Sequence, residues 1–198
     1  MLMAMANKQT GRKLSKCERD KLVIQLKRHE GHKRDKDGIH RSYKDTEDLW
    51  TIGYGRLIDP KRGGEVSFFE TRWLVESNNG QASTPLDISD FYVTEAGAAF
   101  LLANDIDRFV KEVSHKMPWV WELDEVRRRV IIDMSFNLGT AGFLKFKNTI
   151  KAIRAKDWVG ASKGMLNSKW ARQTKSRSVT LSKMMTTGKD PAWLSVKK

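Results

Sequence analysis

Cysteine is almost missing from this chain: Cys17 stands alone among 198 residues. No internal disulfide can form, so the fold has to succeed in a reducing cytosol. Near the start of a helix, Cys17 reads as an ordinary thiol. Long hydrophobic runs are missing too, and none approaches the roughly 18 apolar residues that a membrane span needs. The first eight residues are too polar for a secretory signal, so action outside the cytosol would need another carrier. Phosphate loops of the GxxxxGK[ST] or GxGxxG type and a Gly-x-Ser-x-Gly nucleophile turn do not occur, which argues against nucleotide and serine-hydrolase chemistry. Histidine is scarce, at four. His29, His32 and His40 are close together, but a zinc-protease helix needs histidines four apart on one face, and Gly31 interrupts. No metal and no other cofactor is expected. His115, near the end of a long helix, suits that terminus.

What is present is a core and a charge. Hydrophobic residues make up 39% of the chain, with seven Trp and eight Phe, which excludes a disordered polycation. The formal net charge of +13 favours a polyanionic partner, and charge alone fits nucleic acid and an anionic bacterial envelope equally. The basic residues are scattered rather than gathered on one recognition helix, so no specific nucleic-acid partner is expected. The length suits one domain, built from two lobes.

Residues 1–14 read as a loose basic tail. Ser15 and Glu18 form a capping-box pattern, each side chain able to satisfy an amide of the first helical turn. Leu22, Val23 and Leu26 recur at helical spacing and Gly31 offers a stop, which puts Glu30 at the very end of a helix. Residues 32–41 read as a loop or hairpin tip around Asp37-Gly38. Residues 41–45 and 49–56 read as short strands around Thr46-Glu47-Asp48. Gly53 and Gly55, inside the second, mark close approach of a ligand or another backbone. A turn at 60–64 precedes an amphipathic helix over 67–77, which ends at Asn78-Asn79-Gly80 before a polar loop with Pro85. Thr94 caps a long helix bearing Leu101, Leu102, Ile106, Phe109, Val110 and Val113, with Pro118 as its limit. Val126, Val130, Ile131 and Met134 stripe the next helix, broken at 138–142. Shorter helices are expected at 146–154, 157–166 and 175–186. The pattern is α+β and predominantly helical: tail 1–14, a helix-plus-hairpin lobe over 15–92, and a linking helix with a helical lobe over 93–198.

Glu30 and the run from Tyr43 to Gly55 carry the chemistry. A carboxylate at a helix end is as a rule solvated, and an Asp before a turn as a rule supports that turn. Two carboxyls and a hydroxyl on adjacent irregular backbone can also protonate a leaving oxygen and direct a water, which is what cleaving a glycosidic bond requires. The candidates are Glu30, Asp45 and Thr51.

Tyr43-Lys44-Asp45-Thr46-Glu47, Trp50-Thr51-Ile52-Gly53-Tyr54-Gly55, Val126-Arg127-Arg128-Arg129, Met134-Ser135-Phe136-Asn137-Leu138-Gly139 and the stretch from Ser168-Lys169-Trp170 to Ser176-Arg177 occur in that order. Together they resemble the phage-type lysozymes, the family of the T-even bacteriophage enzyme, over residues 22–188. The resemblance implies a lysozyme-like fold with a small hairpin lobe and a larger helical lobe. It implies a muramidase that hydrolyses the β-1,4 bond between N-acetylmuramic acid and N-acetylglucosamine of peptidoglycan, working as a monomer without a cofactor. Carried over residue by residue, Glu30 corresponds to the general acid, Asp45 to the carboxylate on the opposite face, and Thr51 to the group that helps hold the attacking water. The family is described as inverting. Sugar contacts fall at Glu47, Leu57, Phe136, Asn137 and Thr149, although core packing accounts for Phe136 equally well. Arg177 corresponds to a residue beside the acid that orients it, and Trp170 packs beneath the cleft.

Three departures stand out. The interval from Glu30 to Asp45 is longer, by several residues within 33–40, and loops accept insertions at small cost. Arg56 stands where the T-even enzyme has a histidine linked to stability. Residues 59–93 match weakly. The resemblance also implies synthesis in a host cytoplasm and action at the periplasm or cell wall, after release through a holin or from within a virion. Two other readings remain open: a catalytically silent wall-binding or virion structural protein with this fold, and a basic helical nucleic-acid binder.

Overall fold

The computed structural model describes residues 12–31, 34–45, 47–64 and 88–194. Most of the basic tail, Thr46, the helix expected over 67–77 with its Asn78-Asn79-Gly80 stop, and the loop with Pro85 lie outside the described residues. The chain divides into two compact units, Leu26–Ile106 and Met1–Gln25 with Asp107–Lys198.

Helix α1 (Lys16–Glu30) begins as expected at Ser15, whose hydroxyl accepts the Glu18 amide at 3.1 Å. The reciprocal half of the capping box is not made. Glu18 turns inward, keeps 1% of its surface exposed, and accepts from Arg128 Nε at 2.8 Å and Nη2 at 3.1 Å. A bidentate charged pair outweighs one bond to a backbone amide that water can satisfy. Gly31, at φ 77°, ends the helix directly after Glu30, and Cys17 is exposed in its first turn.

In the unit Leu26–Ile106, β1 (His40–Arg41) pairs antiparallel with β5 (Tyr92–Val93). Among the described residues, a three-stranded antiparallel sheet runs in the order β2 (Tyr43–Lys44), β3 (Trp50–Ile52), β4 (Arg56–Leu57). Tyr43 lies opposite Thr51, and Thr51 opposite Leu57. The single strand expected over 49–56 is therefore two strands. Gly53 and Gly55 have φ of 60° and 86°, a backbone open to glycine without steric cost, and they turn the chain between them. Pro60–Arg62 makes the expected turn, capped by Asp59, whose carboxylate accepts from the Lys61 and Trp50 amides. Thr94 caps α2 (Glu95–Lys116), its hydroxyl accepting the Gly97 amide at 3.2 Å. Ile52, Tyr54, Ile58, Val93, Ala98, Leu101 and Leu102 form the core.

In the other unit, Asp124 caps α3 (Glu125–Leu138) by accepting the Arg127 amide. Arg129, Val130, Ile131, Ile132, Asp133, Met134 and Ser135 are all fully buried, so the middle of this helix is enclosed on every side. Around it run α4 (Thr140–Phe143), α5 (Lys147–Arg154), α6 (Trp158–Leu166), α7 (Lys169–Thr174) and α8 (Ser176–Thr187). α8 packs on α6, α3 and α7, and α6 packs on α5. The fold is α+β, with a small hairpin region and a larger helical part. No helix among the described residues is long and apolar enough to cross a membrane.

Candidate active site

Glu30 owes its position to the last turn of α1, and that turn is tied down by Glu95 at the start of α2. Lys27 Nζ donates to Glu95 at 2.6 Å, His40 Nε2 lies 2.9 Å from it, and the Tyr54 hydroxyl donates at 2.7 and 3.0 Å. Burial pushes the Glu95 carboxyl up, but the hydrogen bonds from Lys27, His40 and Tyr54 outweigh it and hold the group at about 2. One carboxylate thus joins the end of α1, strand β1, the glycine turn and α2. His40 is fully buried in this network, against the Tyr54 ring. Among the described residues, no group of three His, Cys, Asp or Glu side chains could hold a metal ion.

The glycine turn meets Glu30 directly. A Cβ built on Gly55 would come within 2.9 Å of Glu30 Oε2. The sequence suggests close approach of a ligand or another backbone at Gly55; the group that approaches is a side chain, that of the candidate acid. Gly53 faces Ala98 in the same way, at 3.3 Å.

Asp45 makes the turn contacts that an Asp in this place makes as a rule. Its Oδ1 accepts the Glu47 and Leu49 amides at 2.8 and 3.0 Å and so supports the turn. Its Oδ2 has no hydrogen bond among the described residues. Thr51 is 4% exposed and donates to the Leu49 carbonyl at 3.2 Å. It sits between Tyr43 and Leu57 across the sheet. Leu57 is half-buried and Glu47 exposed.

Tyr43 is the residue that sequence reasoning passed over. Burial first, and then the negative charges of Glu30 and Asp45, push its phenol up to about 12. It therefore stands within the field of both carboxylates. The available signal was strand periodicity, which puts Tyr43 on the face of Asp45 two residues on. Arg56, the departure from the family histidine, donates to Asp105 at 2.6 Å, both side chains being largely buried.

The remaining candidates belong to the other unit. Arg177 Nε donates to Asp133 Oδ1 at 2.8 Å, and Gln25 Nε2 donates to Asp133 Oδ2 at 2.7 Å. Asp133 was not anticipated, because its partners come from remote helices. Trp170 is 3% exposed and its Nε1 donates to Asn137 Oδ1 at 2.8 Å, which orients an otherwise exposed amide. Phe136 packs on Phe109 with ring centroids 5.3 Å apart. Thr149 is 3% exposed, with its hydroxyl over Gly164, where an added Cβ would come within 2.5 Å.

The family model described as Phage lysozyme matches residues 29–183, a span that includes every candidate from Glu30 to Arg177. This chain belongs to the phage lysozyme family. Its similarity to curated members is modest in identity and broad in coverage. It is 30% identical over 151 residues to a Dictyostelium discoideum protein named "Probable T4-type lysozyme 1", covering 74% of this chain and 85% of that one. A second protein of the same organism, "Probable T4-type lysozyme 2", is 27% identical over 149 residues with the same coverage. The pre-baseplate central spike protein Gp5 of Enterobacteria phage T4 is 29% identical over 149 residues, which span only 25% of its length. Membership of the phage lysozyme family agrees with the α+β architecture of the hairpin region and the helical part.

Proposed function

We propose that this phage lysozyme is a muramidase that hydrolyses the β-1,4 bond between N-acetylmuramic acid and N-acetylglucosamine in peptidoglycan. The observation that carries the reading is the gathering of Glu30, Asp45 and Thr51 around one hairpin, with Tyr43 sensing both carboxylates. Glu30 gives its proton to the glycosidic oxygen as the bond to the anomeric carbon breaks. Asp45 keeps Oδ1 on the backbone and uses Oδ2 to draw a proton from the attacking water, which Thr51 helps to hold. The same carboxylate stabilises the positive charge that develops on the sugar. Glu47, Leu57, Phe136, Asn137 and Thr149 serve as sugar contacts, with Trp170 and Arg177 supporting the site. No cofactor takes part. The protein acts as a monomeric endolysin on the wall after synthesis in a host cytoplasm.

The bond assignment is tested by reducing the digested peptidoglycan with borohydride and identifying the reduced sugar. Muramitol is the expected product. Glucosaminitol would place the cut at the other glycosidic bond and overturn the assignment. A second reading, a virion part or wall-binding protein without turnover, draws support from the name of the Gp5 relative. Wild-type protein that pellets with the wall yet releases no reducing ends would favour it.

A further inference from the structure

One face of the helical unit carries charge without compensation. Residues 140–156 contain Lys145, Lys147, Lys151, Arg154 and Lys156 and no acidic side chain. α5 sorts its residues by face: Thr149 and Ile153 turn inward and are buried at 3% and 0%. Lys147, Lys151 and Arg154, spaced by four and three, share an exposed stripe. Among the described residues, none of the three is paired with a carboxylate. Like charges at that spacing repel and weaken a helix, so the stripe works against the fold. Together with Leu144, Ile150 and Ala155, these cations line an open groove of about 640 Å³. Leu144 leaves 38% of its surface exposed there.

Cations around an apolar floor narrow the choice of polyanion. A single-stranded nucleic acid needs aromatic platforms for its bases, and this groove has none. A bilayer of anionic lipid uses both features, with phosphodiesters at the Lys and Arg heads and the acyl boundary at the apolar floor. We propose that α5 and Leu144 form a docking surface for an anionic phospholipid bilayer. The helix lies along the interface, with Leu144 and Ile150 toward the lipid chains and Lys147, Lys151 and Arg154 on the headgroups. The surface does not involve Glu30, Asp45 or Thr51, so it stands or falls separately from hydrolysis.

The test is co-sedimentation of the full chain with vesicles of phosphatidylcholine alone and of phosphatidylcholine with phosphatidylglycerol in equal parts. Binding is expected only to the mixed vesicles. Each cation removed should lower it about fivefold, so Lys147→Gln/Lys151→Gln/Arg154→Gln should lower it roughly a hundredfold. Leu144→Ser should lower it several-fold. Far-ultraviolet circular dichroism and turnover of a small uncharged substrate should match the wild type, which separates lost docking from lost fold. A matched triple on exposed positions of the same unit, Lys111→Gln/Lys169→Gln/Lys183→Gln, should lose far less. Equal losses in the two triples would reduce the effect to net charge and overturn the proposal. So would undiminished binding by the α5 triple. A Leu144→Ser protein that binds as wild type, with duplex DNA displacing the vesicles, would assign the stripe to nucleic acid instead.

Discussion

At Gly55 a missing side chain decides where a carboxylate can lie. The φ of 86° already strains any L side chain, and a Cβ would press within 2.9 Å of Glu30 Oε2. Gly55→Ala should cost about 1–2 kcal/mol of stability from the backbone alone. By displacing Glu30, the proposed acid, it should also lower kcat about a hundredfold, with KM changed much less; unfolding and steady-state kinetics measure the two. Tyr43 makes a different prediction. In the unfolded chain its phenol ionises near its ordinary 10, and in the fold near about 12. Between those values the native state holds the extra proton, so stability falls as pH rises from about 10 to 12. Tyr43→Phe should reduce that slope in urea unfolding, leaving the part that Tyr54 and Lys27 supply, and an unchanged slope would refute the placement. Sequence revealed Gly55 as a place of close approach. It could not name Glu30 as the approaching group, because that contact joins the end of a helix to a distant turn.

Among the elements, Glu95 and Asp133 hold together what their helices bring near. Glu95 titrates near about 2 in the fold and near 4.5 when unfolded. Its contribution is full above the unfolded value and is lost as pH falls from there towards 2. Glu95→Gln should lower the thermal midpoint at neutral pH and flatten the acid loss in that window. Asp133→Ala would break the buried ion pair with Arg177 and remove the acceptor of Gln25, and should cost about 3–5 kcal/mol. Asp133→Asn, which keeps a hydrogen-bond acceptor, should cost less. Denaturant midpoints of both variants check this. Caps and periodicity made α1, α2 and α3 legible, since Ser15, Thr94 and the buried stripe of α3 are local signals. The β1–β5 pair, α4 and α7 were not legible, because elements of two to six residues are too short to show a period. The turn that divides the expected 49–56 strand rested on backbone angles that glycine permits but does not announce.

For the whole molecule, the charge of +13 should draw the protein to an anionic wall, and the proposed digestion should slow as salt screens that attraction. Rates of wall clearing across a salt series, with a small uncharged substrate as control, measure it. Family and fold class were legible because several specific motifs stand in order along the chain. The supporting groups Tyr43, Glu95 and Asp133 were not, since each gains its role only from neighbours that folding supplies. We propose Glu30 as the proton donor for cleaving a glycosidic bond. The most direct test of that role is release of reducing ends from purified peptidoglycan by wild type and Glu30→Gln side by side, with wall binding measured in both. The wild type should release reducing ends, and the variant should lose at least about a hundredfold of that release with binding retained. Undiminished release by Glu30→Gln would contradict the role.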